Sequence, residues 1–376
     1  MVDIATDFEP LAYYNVIMRS WKSLLAAVTF ACAGTLVGAS QCQATLNTAI
    51  GVANRLQSEY FNTANGQYTG GSLWTDAVKT SNTPILQSSS TDISYSAHAQ
   101  NTLEDLHNLM LASGTDQYSA VADESFIGRS ALNPNTNWAS LLGGSNDDAG
   151  IEKWVVLSLW KMADYKANRG LSNTAYLNAA STIYDIIAGQ WDSTCGGGVW
   201  WSTAHTYKNA ITNELFLLLS AQGYLRNKNL TYLENARKGV IASGLAYLFA
   251  ATGNSTLLDQ AEITLDATMQ HLTAGTNILK ESCDDAQSGG PVCNQDQGVW
   301  TKHLQYYLDM AGPARVGKYS AFLGSQESAV FHFGTNANDD VGSVWYAPNQ
   351  GGSIFTPKTS ASGLAAHVAA AKYGPC

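Results

Sequence analysis

The chain has 376 residues, of which 45% are hydrophobic and only 13% charged, and 30 acids against 20 bases give a net charge of −10. Charge at about half the usual share, with no basic run longer than Arg237-Lys238, excludes a binder of phosphate backbones, which needs clustered Lys and Arg. Ten Trp and 18 Tyr supply instead rings with an apolar face and a hydrogen-bonding edge, a surface suited to carbohydrate.

Residues 1–17 read as an upstream extension. From Met18 the order is Met-Arg-Ser-Trp-Lys, then LLAAVTFACAGTLVGAS, then Cys42-Gln43-Ala44, which is the positive, apolar, small-residue order of a secretory signal. Its apolar stretch, Leu24 to Ala39, falls short of the roughly 20 residues a membrane span needs. The sequence therefore predicts a signal over 18–44, cleavage after Ala44, and a secreted domain over 45–376. Cleavage there removes Cys32 and Cys42 and leaves four cysteines. Cys283 and Cys293 bracket a Gly-rich loop that a local bridge would staple, which leaves Cys195 to pair with Cys376 in an oxidising compartment. No Cys/His spacing points to a metal. Asn229-Leu230-Thr231 and Asn254-Ser255-Thr256 are glycosylation sequons. The carboxyl end, GLAAHVAAAKYGPC, lacks the apolar tail of a lipid-anchor signal, so no membrane anchor is expected in the mature form.

Beyond the signal the apolar periodicity is helical, with Gly, Asn and Ser loops between segments. Eleven helices are expected, over 45–61, 94–112, 116–128, 147–168, 173–191, 208–226, 230–250, 255–272, 298–311, 316–333 and 359–373. Strand-like runs are short, near 198–201 and 343–346. No Pro-rich linker divides the series, so one domain is expected. In 147–168, Ile151, Trp154, Val155, Leu159 and Met162 form one stripe and Val156, Leu157 and Trp160 fill the other faces, the pattern of a buried helix. In 173–191, Tyr176, Ala180, Ile183 and Ile187 lie opposite Asn173, Asn178 and Asp185, the pattern of a half-buried one. Such alternation predicts two concentric rings, an all-α (α/α)6 barrel. A superhelical array would need a fixed period of about 30–45 residues, and none is present.

Three motifs could carry chemistry. Ser145-Asn146-Asp147-Asp148 opens the Trp-rich helix. As structure it is a capping box with acids favoured by the helix dipole. At the inner end of a barrel helix the same pair would face a cleft, where neighbouring carboxylates drive their pKa values apart. One ionised and one protonated carboxyl is what glycoside hydrolysis needs. Asp284-Asp285 and Asp339-Asp340 read instead as solvated loop acids. The second motif is Cys195-Gly-Gly-Gly-Val-Trp200-Trp201, lacking the Gly-Lys-Ser/Thr ending of a phosphate loop. Its Trp rings either present a sugar platform or fill core, and Asn209 and Asn213, one turn apart downstream, either bind hydroxyls or cap. The third, Cys293-Asn-Gln-Asp296-Gln297 followed by Lys302 two turns in, is on its own an ordinary capped helix.

Taken in order, Asn-Asp-Asp before a long helix, Cys-Gly-Gly-Gly-x-x-Trp with Tyr-Lys-Asn-x-x-x-Asn, and Cys-Asn-x-Asp-Gln resemble glycoside hydrolase family 76. That family comprises α-1,6-mannanases and fungal cell-wall relatives. The resemblance covers most of residues 45–373 and is nearer the fungal branch because of the Cys-bounded loop. It implies an (α/α)6 barrel that hydrolyses internal α-1,6-mannosidic bonds with retention, with Asp147 as nucleophile and Asp148 as acid/base about 5–5.5 Å apart. It further implies substrate contacts from Asn101, Asn146, Trp200, Trp201, Asn209, Asn213, Asp296 and Lys302, and no metal or other cofactor. The expected partner is α-1,6-linked mannan or a mannoprotein glycan, bound by a monomer. Two departures stand out: Ile151-Glu152 where many members carry two Trp, and Asn101 where bacterial members carry an Asp after the Ala97-His98 pair. A transglycosylase using the same site and a non-catalytic mannan-binding protein are the alternatives. A prenyl-diphosphate enzyme is disfavoured, because Asp147-Asp148-Ala149-Gly150-Ile151 lacks the fifth-position Asp and basic residues are sparse.

Overall fold

Helix α1 (Gln43–Arg55) buries Leu46, Ala49, Val52 and Ala53 on one face, runs on through a wider turn to Tyr60 and enters a hairpin, β1 (Phe61–Asn62) against β2 (Gln67–Tyr68). Gly66 in that hairpin has φ +73°, and a Cβ there would meet the Glu124 carbonyl at 2.3 Å, so only glycine fits. The computed structural model describes residues 41–68, 99–142, 149–236, 242–281, 296–347 and 353–376.

After α2 (Ala99–Ser113), the helix expected over 116–128 is two, α3 (Ala120–Glu124) and α4 (Phe126–Leu132). Buried Ser125 breaks it: its backbone is extended and its hydroxyl accepts the Gly128 N–H at 3.1 Å as a cap. A short α5 (Trp138–Leu141), α6 (Ala149–Asn168) and α7 (Thr174–Ala188) follow. Then β3 (Trp191–Asp192) pairs antiparallel with β4 (Gly198–Val199). Helix α8 (Ala210–Asn227) ends at Lys228 in a left-handed conformation, φ 59°. Two helices, α9 (Leu230–Ala236) and α10 (Ala242–Thr252), stand where one was expected over 230–250, and α11 (Thr256–His271), α12 (Asp296–Ala311), α13 (Pro313–Ala329) and α14 (Pro357–Tyr373) complete the chain. Around 343–346 there is no strand among the described residues. Gly342 bridges Phe355, and Ser343 N–H donates to the Ile354 carbonyl.

Six helices close a ring, α2 on α6, α6 on α8, α8 on α10, α10 on α12, α12 on α14 and α14 back on α2, and α1, α7, α9, α11 and α13 pack outside it, with α4 against α6 and α7. This is the expected (α/α)6 barrel. Burial follows the rings. Inner α14 is buried at every residue from Thr359 to Ala371, and its Ala, Ser and Gly let neighbours approach closely. A Cβ at Gly298 of α12 would lie 2.3 Å from Ser362 Cα. Outer α11 buries only Leu258, Ala261, Glu262 and Leu265, one stripe at helical spacing. Contacts along α2 and α12 advance together: Asn101, third in α2, bonds Lys302, seventh in α12, at 2.8 Å, and Asn108, tenth in α2, bonds the hydroxyl of Tyr306, eleventh in α12, at 2.7 Å. These two inner helices therefore run parallel, with their N-termini at one end.

Two expectations are corrected. Cys376 is bonded to Cys42, with Cα atoms 5.0 Å apart, and Cys195 is free and exposed. Cys42 looked like part of the signal, yet its N–H donates to the Ala371 carbonyl at 2.9 Å and α1 starts at the next residue. Asp340, expected as a solvated loop acid, is buried. It accepts from Arg55 Nε at 2.8 Å and the Tyr60 hydroxyl at 3.1 Å, and these donors with Asn336 outweigh burial to hold its carboxyl below the usual range. Asp284, Asp285, Cys283 and Cys293 lie outside the described residues.

Candidate active site

The end of the barrel where the inner helices begin gathers the sequence-predicted residues. Asn146, Asp147 and Asp148 lie outside the described residues, but the helix they precede, α6, belongs to the inner ring. Asp296 opens α12. Asn101 is the third residue of α2 and Lys302 the seventh of α12, and the structure brings these two together: Lys302 Nζ donates to Asn101 Oδ1 at 2.8 Å.

The same ammonium is 2.9 Å from Glu104 Oε2 and 3.0 Å from Asp105 Oδ1, with all three side chains at most 4% exposed. One buried cation thus faces two buried carboxylates. Burial pushes Glu104 up, but the Lys302 charge and the Tyr306 hydroxyl, donating at 2.7 Å, hold it below its usual range. Asp105 has no such hydroxyl, and burial, only partly offset by Lys302, lifts it to about 7. Lys302 Nζ also sits 5.6 Å from the ring centroid of Trp154, on the second turn of α6. The edge of that indole meets His303 at 5.8 Å, and burial together with the neighbouring Lys302 charge pushes His303 down to about 4, leaving a neutral ring held by Ser243.

The second motif forms a separate cluster at the start of α8. Asn209 caps α8, accepting from Thr212 N–H at 2.9 Å. Asn213 clamps β4: its Oδ1 accepts from Val199 N–H at 2.7 Å, and its amide donates to the Val199 and Asn209 carbonyls. Both side chains thus serve the backbone. Trp200 is stacked by His205, with centroids 5.2 Å apart, is overlain by Lys208 Nζ at 4.5 Å and donates its indole N–H to Asp192. Trp201 lies with its ring 6.1 Å from Tyr207, which is 55% exposed, so the exposed aromatic edge of this loop belongs to that pair.

Glu104, Asp105 and Glu214 were missed in the sequence. Glu214 is in the second turn of α8, and burial raises its carboxyl. In Asn101-Thr-Leu-Glu-Asp-Leu-His-Asn only Leu103 and Leu106 are apolar, three residues apart on one face, so nothing in the sequence signals that these acids are buried.

The profile of glycosyl hydrolase family 76 matches residues 51–240, half of the chain, spanning the Asp147-Asp148 pair and the Gly-Trp loop. The chain belongs to glycosyl hydrolase family 76. A Schizosaccharomyces pombe relative with the provisional name mannan endo-1,6-α-mannosidase is 26% identical over 258 residues, 54% of this chain and 57% of that protein. The chain thus spans little more than half the length of that curated relative. Among solved structures, an inactive variant of the α-1,6-mannanase of Salegentibacter sp. HEL1_6 in complex with α-1,6-mannotriose superposes with a TM-score of 0.65 at 15% identity, covering 87% of this chain and 99% of that one. Dfg5 from Chaetomium thermophilum in complex with glucosamine gives 0.58 at 15% identity, covering 88% and 90%. These likenesses show the family 76 barrel.

Proposed function

We propose that this family 76 chain is a secreted endo-α-1,6-mannosidase that acts on mannan or mannoprotein glycans with retention. The observation that carries the reading is the position of the Asp147-Asp148 pair, immediately ahead of an inner-ring helix whose N-terminus shares one barrel end with a buried, charged wall. Asp147 attacks the anomeric carbon while Asp148 protonates the departing glycosidic oxygen. Asp148 then takes a proton from the water that releases the mannosyl-enzyme ester. The α6 dipole favours the ionised member of the pair. Asn101 contributes hydrogen bonding to substrate, and Trp201 with Tyr207 a sugar-stacking edge.

Secretion is supported by the signal-like segment and by the disulfide. The Cys42–Cys376 bond supports processing ahead of Cys42 over processing after Ala44. Among the described residues no helix is long and apolar enough to cross a membrane. Glycans are proposed at Asn229 and Asn254, both exposed and immediately ahead of the outer helices α9 and α11 or one residue before their cap. Outer helices begin at the end opposite the inner N-termini, so glycans there leave the cleft open.

The test is incubation of the secreted protein, D147N and D148N with linear α-1,6-mannan, following oligosaccharide size and anomeric form. The parent should release α-anomeric oligomers, and each variant should lose on the order of 10⁴-fold in rate, as removal of a catalytic group does. Release of β-anomers sinks retention, and unchanged rates in the variants sink the role of the pair. The exposed Trp201–Tyr207 edge supports one second reading, in which a sugar hydroxyl replaces water as acceptor. Adding mannobiose would then yield longer oligomers.

A further inference from the structure

Lysine offers three N–H donors and no acceptor. Around Lys302 Nζ three oxygens lie at 2.8–3.0 Å, from Asn101, Glu104 and Asp105, and the Trp154 ring lies at 5.6 Å. Lys302 is 1% exposed and enclosed by these groups: its hydrogen bond goes to the Asn101 oxygen, and the two carboxylates pair with it by charge. Because lysine can only donate, the Asn101 atom facing it is the carboxamide oxygen, and the donor Nδ2 points away from Lys302. Asn101 is also the most exposed member of the cluster, at 8% against 1% for Lys302, 1% for Glu104 and 3% for Asp105. Asn101, in the first turn of α2, is thus the member of this wall nearest the cleft end, with its amide N–H turned from Lys302.

We infer that Lys302 does not touch substrate but acts through Asn101: clamped by Glu104 and Asp105, it fixes the carboxamide so that Nδ2 donates to a mannosyl hydroxyl oxygen. Lys302, Glu104 and Asp105 are positioning residues, and Asn101 is the contact. The inference rests on the mannosidase reading above.

A double-substitution cycle on the full secreted chain tests this, reading KM and kcat on linear α-1,6-mannan together with binding of α-1,6-mannotriose. N101A should raise KM and the mannotriose Kd about tenfold, the scale of one hydrogen bond lost from a site, with a smaller change in kcat. K302M should do the same, and the double variant should be no worse than either single within about twofold, because the two act as one unit. Losses that multiply to roughly a hundredfold overturn the inference, since Lys302 would then contact substrate itself or act through general destabilisation. Melting curves accompany each variant. If K302M does not fold, K302M/D105N, which removes one charge of each sign, takes its place in the cycle. A parent that neither cleaves mannan nor binds mannotriose overturns the mannosidase reading and this inference with it, whereas an active parent with multiplied losses overturns the inference alone.

Discussion

Two charged clusters in this barrel have similar composition and opposite settings. On the inner wall, Lys302 meets Glu104 and Asp105 with every side chain at most 4% exposed. On the outer ring, Arg315 and Lys318 of α13 meet Asp259, Glu262 and Asp266 of α11 at 2.7–2.9 Å, with side chains from 11% to 65% exposed. In both, acids outnumber bases by one. Outside, water and salt absorb the surplus charge, and Glu262, half surrounded by Tyr307, Arg315 and Lys318, stays ionised below its usual range although burial opposes it. Inside, burial is the larger effect: Lys302, with a smaller contribution from Lys161, only partly offsets it, and the carboxyl of Asp105 holds its proton to about 7. The same ion-pair chemistry therefore joins helices in one place and sets protonation in the other.

The sharpest way to break the comparison is to delete one cation from each cluster. K302M leaves two buried carboxylates without their ion-pair partner and should cost roughly 3–5 kcal/mol, read as a lower midpoint in urea. K318M should cost about 0–1 kcal/mol. Equal losses would mean the inner pocket is wetter than its burial indicates.

A smaller effect sharpens the point. The folded pKa of Asp105 lies above its unfolded value, so folding is penalised progressively as pH rises from about 4 to about 7, and the penalty is complete above that. The charged groups facing it are Lys302 on α12, Glu104 on α2 and Lys161 on α6. D105N should therefore match the parent near pH 4 and melt on the order of 2–5 °C higher at pH 8. The parent's own profile mixes in an opposite slope. His107 and His303 are buried and depressed to about 4, which withdraws stability as pH falls from 6.5 toward 4, so the difference between D105N and parent is the quantity to read. The smallest effect expected is ionic: raising salt from 0.05 to about 0.5 M should narrow the gap between K318M and parent, since exposed pairs are screened, and leave the K302M gap unchanged.

The rings were legible because the contrast between all-round apolar 147–168 and one-sided 173–191 is a burial pattern, and burial is what a closed double ring imposes. Asn101 and Lys302 could each be singled out from the sequence, but not their relation to each other, since they lie 201 positions apart and meet only in the closed ring. Glu104 and Asp105 were passed over because a single sequence does not say which face of α2 has water. Ser125 hid a helix break, being a cap only once Gly128 turns back to it. Cys42 was misread for a different reason: the end of a signal and the start of a structural helix are both made of small residues.

That cysteine, at the cap of α1, ties it to Cys376, 334 positions later. Closing so long a loop is worth up to about 5 kcal/mol in the chain-entropy account. It also makes residues 42–376 of the oxidised polypeptide a covalent ring. A permutant of residues 42–376 joined between those two positions and reopened in the exposed turn at 169–173 would thread the same two rings.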